Sequence, residues 1–208
     1  MCGIFGGNLN VNKFRELASF NVKRGNLGFG GLSVASNQEI IFRYNQPFSN
    51  GLNIPEGDFL MGHVLASTGN AKRIHPFESD RFVLAHNGIL LNHQNFNHWY
   101  TGPVDRQYLL GGIQANFNDG LDVIQSLKIT NELMTGQRAC WLWDRFKGIS
   151  YFWRVMAPLF YTLNPFVFSS SKFENSVIME EGMVYSFDYS LNLFATCTKF
   201  IFYSPYLV

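Results

Sequence analysis

Charge is scarce in this chain and evenly split: 16 Lys and Arg against 15 Asp and Glu in 208 residues leave a formal net charge of +1. The basic excess needed to grip a phosphate backbone is missing, so no direct nucleic-acid partner is expected. Cysteine is scarcer still. Cys2, Cys140 and Cys197 are odd in number and widely spaced, which argues against a disulfide framework and suits reduced thiols in a cytoplasmic setting. A long apolar run is also lacking, because the most apolar stretch, 151–168, is broken by Arg154, Pro158, Asn164 and Pro165. It does not read as a membrane span. The first residues are rich in glycine and carry no charged segment before an apolar one, so no signal peptide is expected. Repeats and linker-like tracts are absent, and residues 1–208 read as a single domain.

What is present in quantity is apolar and aromatic side chain, 47% and 16% of the residues, enough for a large core. Residues 39–44, 59–66 and 81–90 are rich in β-branched or aromatic residues and separated by Gly, Pro and Asn, the composition of strands. Further strands are expected at 139–143, 149–155, 159–163, 167–170, 183–188 and 193–198. Helical spacing marks Phe14, Leu17 and Ala18, with Asn12 as N-cap and Gly25 as terminator. It also marks Tyr108, Leu109, Ile113 and Phe117, and a shorter helix is expected over 121–127. Near-continuous apolar strands are covered on both faces, so the chain is read as α+β, with helices packed outside two sheets.

Cys2 stands directly behind the initiator. Removal of Met1 would give one residue both a thiol and a free α-amino group, whose reference pKa of about 8 lets it relay the thiol's proton without a distant histidine. Ile4 and Phe5 begin a buried strand, and Gly3, Gly6 and Gly7 permit close approach around the thiol. His86-Asn87-Gly88 closes the apolar run 82–85. A side-chain amide beside an unobstructed glycine N–H can stabilise an oxyanion, and the same Asn-Gly pair also fits a hairpin turn. Asp105 opens a helix, where a carboxylate can cap the first turn or hold an ammonium group.

Met1-Cys2-Gly3-Ile4-Phe5-Gly6-Gly7 resembles the start of the class II glutamine amidotransferases, and His86-Asn87-Gly88 resembles their oxyanion tripeptide. The resemblance extends faintly to Arg154, Pro158, Leu159, Phe160 and Tyr161 and ends near Ser171. It implies a four-layer αββα sandwich of the N-terminal-nucleophile hydrolase type. Catalysis would fall to Cys2, Asn87 and Gly88. Asp105 would bind the α-ammonium of glutamine, Arg24 would support the nucleophile's loop through backbone carbonyls, and Thr68 and His75 would border the pocket.

Two departures stand out. The Arg24-Gly25 element continues as Asn26-Leu27-Gly28 where relatives commonly carry an aspartate. In Gly62-His63-Val64-Leu65, a leucine stands where relatives hold the substrate's α-carboxylate with arginine. Leu65 supplies no donor, so another cation, with Lys72 or Arg73 nearest in sequence, must serve, or free glutamine is not the substrate.

No cofactor is expected. Gly25, Gly28, Gly30 and Gly31 lack the spacing and lysine of a phosphate loop. His86, His93 and His98 lack a cysteine or carboxylate completing a metal-ligand pattern. Trp141, Trp143, Phe152 and Trp153 alternate as core residues of a sheet. The reading that follows is glutamine hydrolysis through a Cys2 thioester, with ammonia passing to a separate synthase or nucleotide-modifying enzyme. Two alternatives stand beside it: a stand-alone γ-glutamyl or related amidohydrolase, and a silent binding or regulatory subunit.

Overall fold

The computed structural model describes residues 2–36, 38–66, 74–96 and 105–202, with backbone only at 105 and 106. The chain divides into two compact units, Met1–Pro76 with Ala85–Asn87 and Pro158–Met179, and Phe77–Leu84 with Gly88–Ala157 and Glu180–Val208.

The first unit carries a seven-stranded antiparallel sheet. Its central strand β1 (Gly3–Gly7) lies between β10 (Phe166–Ser169) and β4 (Phe59–Leu65), with Ile4 opposite His63 and Phe5 opposite both Gly62 and Ser169. Beyond β4 come β2 (Gly28–Ala35) and β3 (Gln38–Tyr44); beyond β10 come β9 (Phe160–Leu163) and β11 (Val177–Ile178). Backbone crowding explains the glycines of β1. A Cβ at Gly6 would lie 2.1 Å from the Leu60 carbonyl oxygen, and one at Gly7 2.1 Å from that of Phe166. The close approach expected around the thiol is, at Gly6 and Gly7, the approach of the neighbouring strands.

Helix α1 (Val11–Asn21) packs on this sheet through Val11, Phe14 and Ala18, spaced along one helical face. Phe14 and Phe5 meet with ring centroids 5.3 Å apart. Asn10, not the expected Asn12, caps α1: its side chain accepts the Lys13 N–H at 3.0 Å. The helix thus starts two residues earlier than the apolar spacing indicates, and a turn of 3-10 helix (Val22–Arg24) carries it to Gly25.

The second unit is built on a six-stranded sheet in the order β13 (Leu193–Lys199), β12 (Met183–Asp188), β8 (Ile149–Val155), β7 (Gly136–Asp144), β6 (Phe82–Leu90), β5 (Phe77–Glu78). Helices α2 (Asp105–Asn118) and α3 (Val123–Leu133) supply Leu109, Ile113 and Leu127 to a core shared with Leu84, Leu142, Trp153 and Val184. Asp122 and Gln125 form a reciprocal capping box that starts α3. The expected helix at 121–127 therefore starts two residues later and runs to Leu133. Trp141, Trp143, Phe152 and Trp153 are buried, as their alternation predicts.

Among the described residues no helix is long and apolar enough to cross a membrane, and no group of three His, Cys, Asp or Glu side chains is placed to hold a metal.

Candidate active site

Cys2 sits one residue ahead of the central strand of the first sheet and is 2% exposed. Leu65 and Ile74 bury it, with Leu27 and Ala66 packed against them. Its Sγ accepts the Ala66 N–H at 3.4 Å, so the residue following β4 addresses the sulfur directly.

The turn after α1 closes on the same spot. Arg24 Nε donates to the Cys2 carbonyl at 3.0 Å. A Cβ at Gly25 would come within 2.5 Å of both Ala66 N and the Leu65 carbonyl carbon, and Leu27 N–H donates to the Leu65 carbonyl at 2.9 Å. Only glycine lets the turn press this tightly on the end of β4. Burial lowers the pKa of Arg24 from its ordinary value, and the Cys2 thiol, acting on it electrostatically, opposes that shift. The Nη2 nitrogen of Arg24 is buried and has no partner among the described residues.

Asn87 lies in mid-strand on β6 and is buried, so the Asn-Gly pair makes no hairpin turn. Ser170, one residue past β10, ties Asn87 to β1. Its N–H donates to the Ile4 carbonyl at 2.8 Å, and its Oγ accepts Ile4 N–H at 3.1 Å and Asn87 Nδ2 at 3.3 Å. Asn87 Nδ2 keeps a second hydrogen to offer. Its Oδ1 is buried without a partner among the described residues. Behind Ser170, Ser169 Oγ and the buried Asn21 side chain bond at 3.0 Å.

Gly88 follows with φ +145°, and a Cβ there would lie 2.0 Å from the Gln137 carbonyl oxygen. This position excludes every residue but glycine. One position along from Gln137, the guanidinium of Arg138 is fully buried among neutral oxygens. Its Nε donates to Asn131 Oδ1 at 2.7 Å, Nη2 to the Asn131 carbonyl at 2.7 Å and Nη1 to the Gly136 carbonyl at 3.1 Å. Burial pulls its pKa down to about 10.

His75 is buried with its ring 4.0 Å from that of His63. Asp105 is the first residue of α2, and its side chain is not among those described. Thr68, Lys72 and Arg73 lie outside the described residues. Sequence reasoning missed Ser170, Asn21 and the Ala66 amide. The only signal for the first is the serine run at 169–171, which names no partner.

No family model and no curated protein matches this chain. Solved structures do, and they show the fold to be that of the N-terminal-nucleophile amidotransferase domains. One is a glutamine phosphoribosylpyrophosphate amidotransferase from B. subtilis, with TM-score 0.78 and 18% identity over 96% of this chain and 49% of that one. Another, an allosteric regulatory enzyme of purine biosynthesis, has TM-score 0.77 and 16% identity over 96% and 49%. A predicted glutamine amidotransferase from Pseudomonas aeruginosa PA01 has TM-score 0.57 and 14% identity, with 95% of each chain covered. The chain thus spans about half the length of the first two and nearly all of the third.

Proposed function

We propose that this protein is a cysteine amidohydrolase that cleaves the side-chain amide of glutamine. The observation that carries this reading is the convergence on Cys2: the Arg24 Nε bond to its carbonyl, the Ala66 N–H on its sulfur, and Ser170 linking Asn87 to β1. With Met1 removed, the α-amino group of Cys2 takes the thiol proton as Sγ adds to the amide carbon. The oxyanion that forms accepts hydrogen bonds from Asn87 Nδ2 and the Gly88 N–H, donors set before the charge develops. As the carbon–nitrogen bond breaks, the relayed proton leaves with ammonia. Water then adds to the thioester, expelling the Cys2 thiol and releasing glutamate.

In this reading Asp105 holds the substrate's α-ammonium, and His75 borders the pocket. Ammonia is delivered to an acceptor site outside the described residues, on a separate synthase or nucleotide-modifying enzyme. The first of the solved structures above is an amidotransferase of which this chain covers about half, and it supports that delivery.

The experiment is intact mass before and after exposure to a diazo-ketone analogue of glutamine. A des-Met protein gaining one adduct, lost in Cys2→Ala, is the expected result. A des-Met protein that stays unmodified sinks the glutamine reading. One observation favours a second reading, hydrolysis of an amide other than free glutamine: the buried Leu65 packs with Cys2 and offers no donor to a carboxylate.

A further inference from the structure

We propose that Arg24 binds the anionic end of the substrate, its Nη2 taking the α-carboxylate for which Leu65 offers no donor. The inference rests on the glutamine reading above and gives its pocket an anion site.

Three observations carry it. First, Arg24 is divided in its engagements: Nε is committed to the Cys2 carbonyl at 3.0 Å, while Nη2 is buried with no partner among the described residues. A buried donor on a charged group is costly to leave unbonded, and such atoms in a native structure point to a missing ligand or water. Second, the cation is next to the nucleophile, since it bonds that residue's backbone and feels its thiol. Third, the turn carrying it is pressed onto the position that lacks a cation. Gly25 would collide with Leu65 and Ala66 if it bore a Cβ, and Leu27 hydrogen-bonds to Leu65. The turn that carries Arg24 thus adjoins Leu65 at the backbone, with the guanidinium on the Cys2 carbonyl beside it. With Nε committed, Nη2 can give a carboxylate oxygen a charge-assisted hydrogen bond.

The alternative is that Arg24 only holds the loop. The two roles separate by comparing two amides: glutamine, and 4-aminobutanamide, which lacks the carboxylate and is otherwise identical. Any displacement of Cys2 caused by losing Arg24 slows both, so it cancels in the ratio of their kcat/KM values. In the wild-type protein glutamine is expected to be the better substrate. In Arg24→Gln the ratio should fall by about tenfold or more, the loss of a charge-assisted pair worth about 1.4 kcal/mol. Leu65→Arg added to Arg24→Gln should recover part of it. Arg24→Lys keeps the charge without the fork and should fall between, and it serves if Arg24→Gln does not fold.

A ratio unchanged in both Arg24 variants overturns the proposal and leaves the amidohydrolase reading standing. A ratio that instead collapses in Lys72→Ala or Arg73→Ala overturns it too, by placing the cation there. If the wild-type protein cleaves neither amide and takes no diazo-ketone label, the glutamine reading itself fails, and this inference falls with it.

Discussion

Two arginines, one fully buried and one half-buried, show opposite uses of the same side chain. Around Arg138, in the second unit, all three guanidinium nitrogens donate to neutral oxygens of Asn131 and Gly136. The Asn131 carbonyl is one of the last four of α3, so the cation also answers the negative end of that helix. Around Arg24, in the first unit, one nitrogen is used and another is left over. Burial lowers the pKa of both, so desolvation does not distinguish them. Hydrogen-bond completeness does: the network around Arg138 is closed within the fold, and the one around Arg24, beside Cys2, is open. Asn87, with Nδ2 bonded and Oδ1 unsatisfied, falls on Arg24's side of that line. Trp153 Nε1 is another buried polar atom without a partner among the described residues, in the core of the second unit.

The sharpest break of this comparison comes from exchanging the arginines' effects. Arg138→Met should cost about 2–4 kcal/mol of stability, because Asn131 Oδ1 and two carbonyls lose their donors, and urea unfolding reads it. Arg24→Gln should cost about 1 kcal/mol or less in the same titration, since one hydrogen bond is lost. A larger loss there would make Arg24 a folding residue and erase the contrast.

Gly88→Ala tests the closed side again. Its Cβ would meet the Gln137 carbonyl oxygen at 2.0 Å in a backbone of φ +145°. The expected result is a lowered melting temperature together with loss of diazo-ketone labelling. Ser170→Ala probes the junction between the two kinds of network. It strips an acceptor from Ile4 N–H and Asn87 Nδ2, and should cost about 1–3 kcal/mol and slow labelling of Cys2 more than it weakens glutamine binding.

Thiol chemistry sharpens the comparison with smaller effects. Burial pushes the Cys140 thiol far up, with Arg138 opposing, which holds it in the unreactive neutral form. Cys197 is exposed and should react with a general thiol reagent in the native protein, whereas Cys140 should appear only after denaturation. The smallest effect is in pH. Above pH about 10 native Arg138 begins to release a proton that the unfolded chain keeps until its higher ordinary pKa. The unfolded state then binds more protons, so this residue's contribution to stability rises with pH, by at most about 1.4 kcal/mol per unit. Denaturant unfolding of the wild type against Arg138→Met at pH 9 and 11 reads that slope, which the variant should lack.

Much of this was legible in the chain. The strands 149–155 and 183–188 agree with Ile149–Val155 and Met183–Asp188 residue for residue, because both runs are rich in β-branched and aromatic residues. The opening strand behind Cys2 and the helix start at Asp105 follow from equally local patterns. Strand β2 was not legible. No strand is expected from the sequence around Gly28, Gly30 and Gly31, yet they lie in a strand so crowded that a Cβ at Gly30 would sit 2.1 Å from the His75 carbonyl oxygen and one at Gly31 2.4 Å from that of Met61. Glycine there answers to neighbours more than 29 residues away in the chain, and no local propensity encodes them.

The chemistry of the site divides along the same line. Which groups exist was settled by the order of residues alone: a thiol behind the initiator, an amide beside glycine, an arginine ahead of glycine, and a leucine in Gly62-His63-Val64-Leu65. Which of them meet was decided only by tertiary structure. Ser170 reaches Ile4 across 166 positions and Asn87 across 83. A hydrogen bond depends on distance and angle in space, and spacing along the chain carries neither.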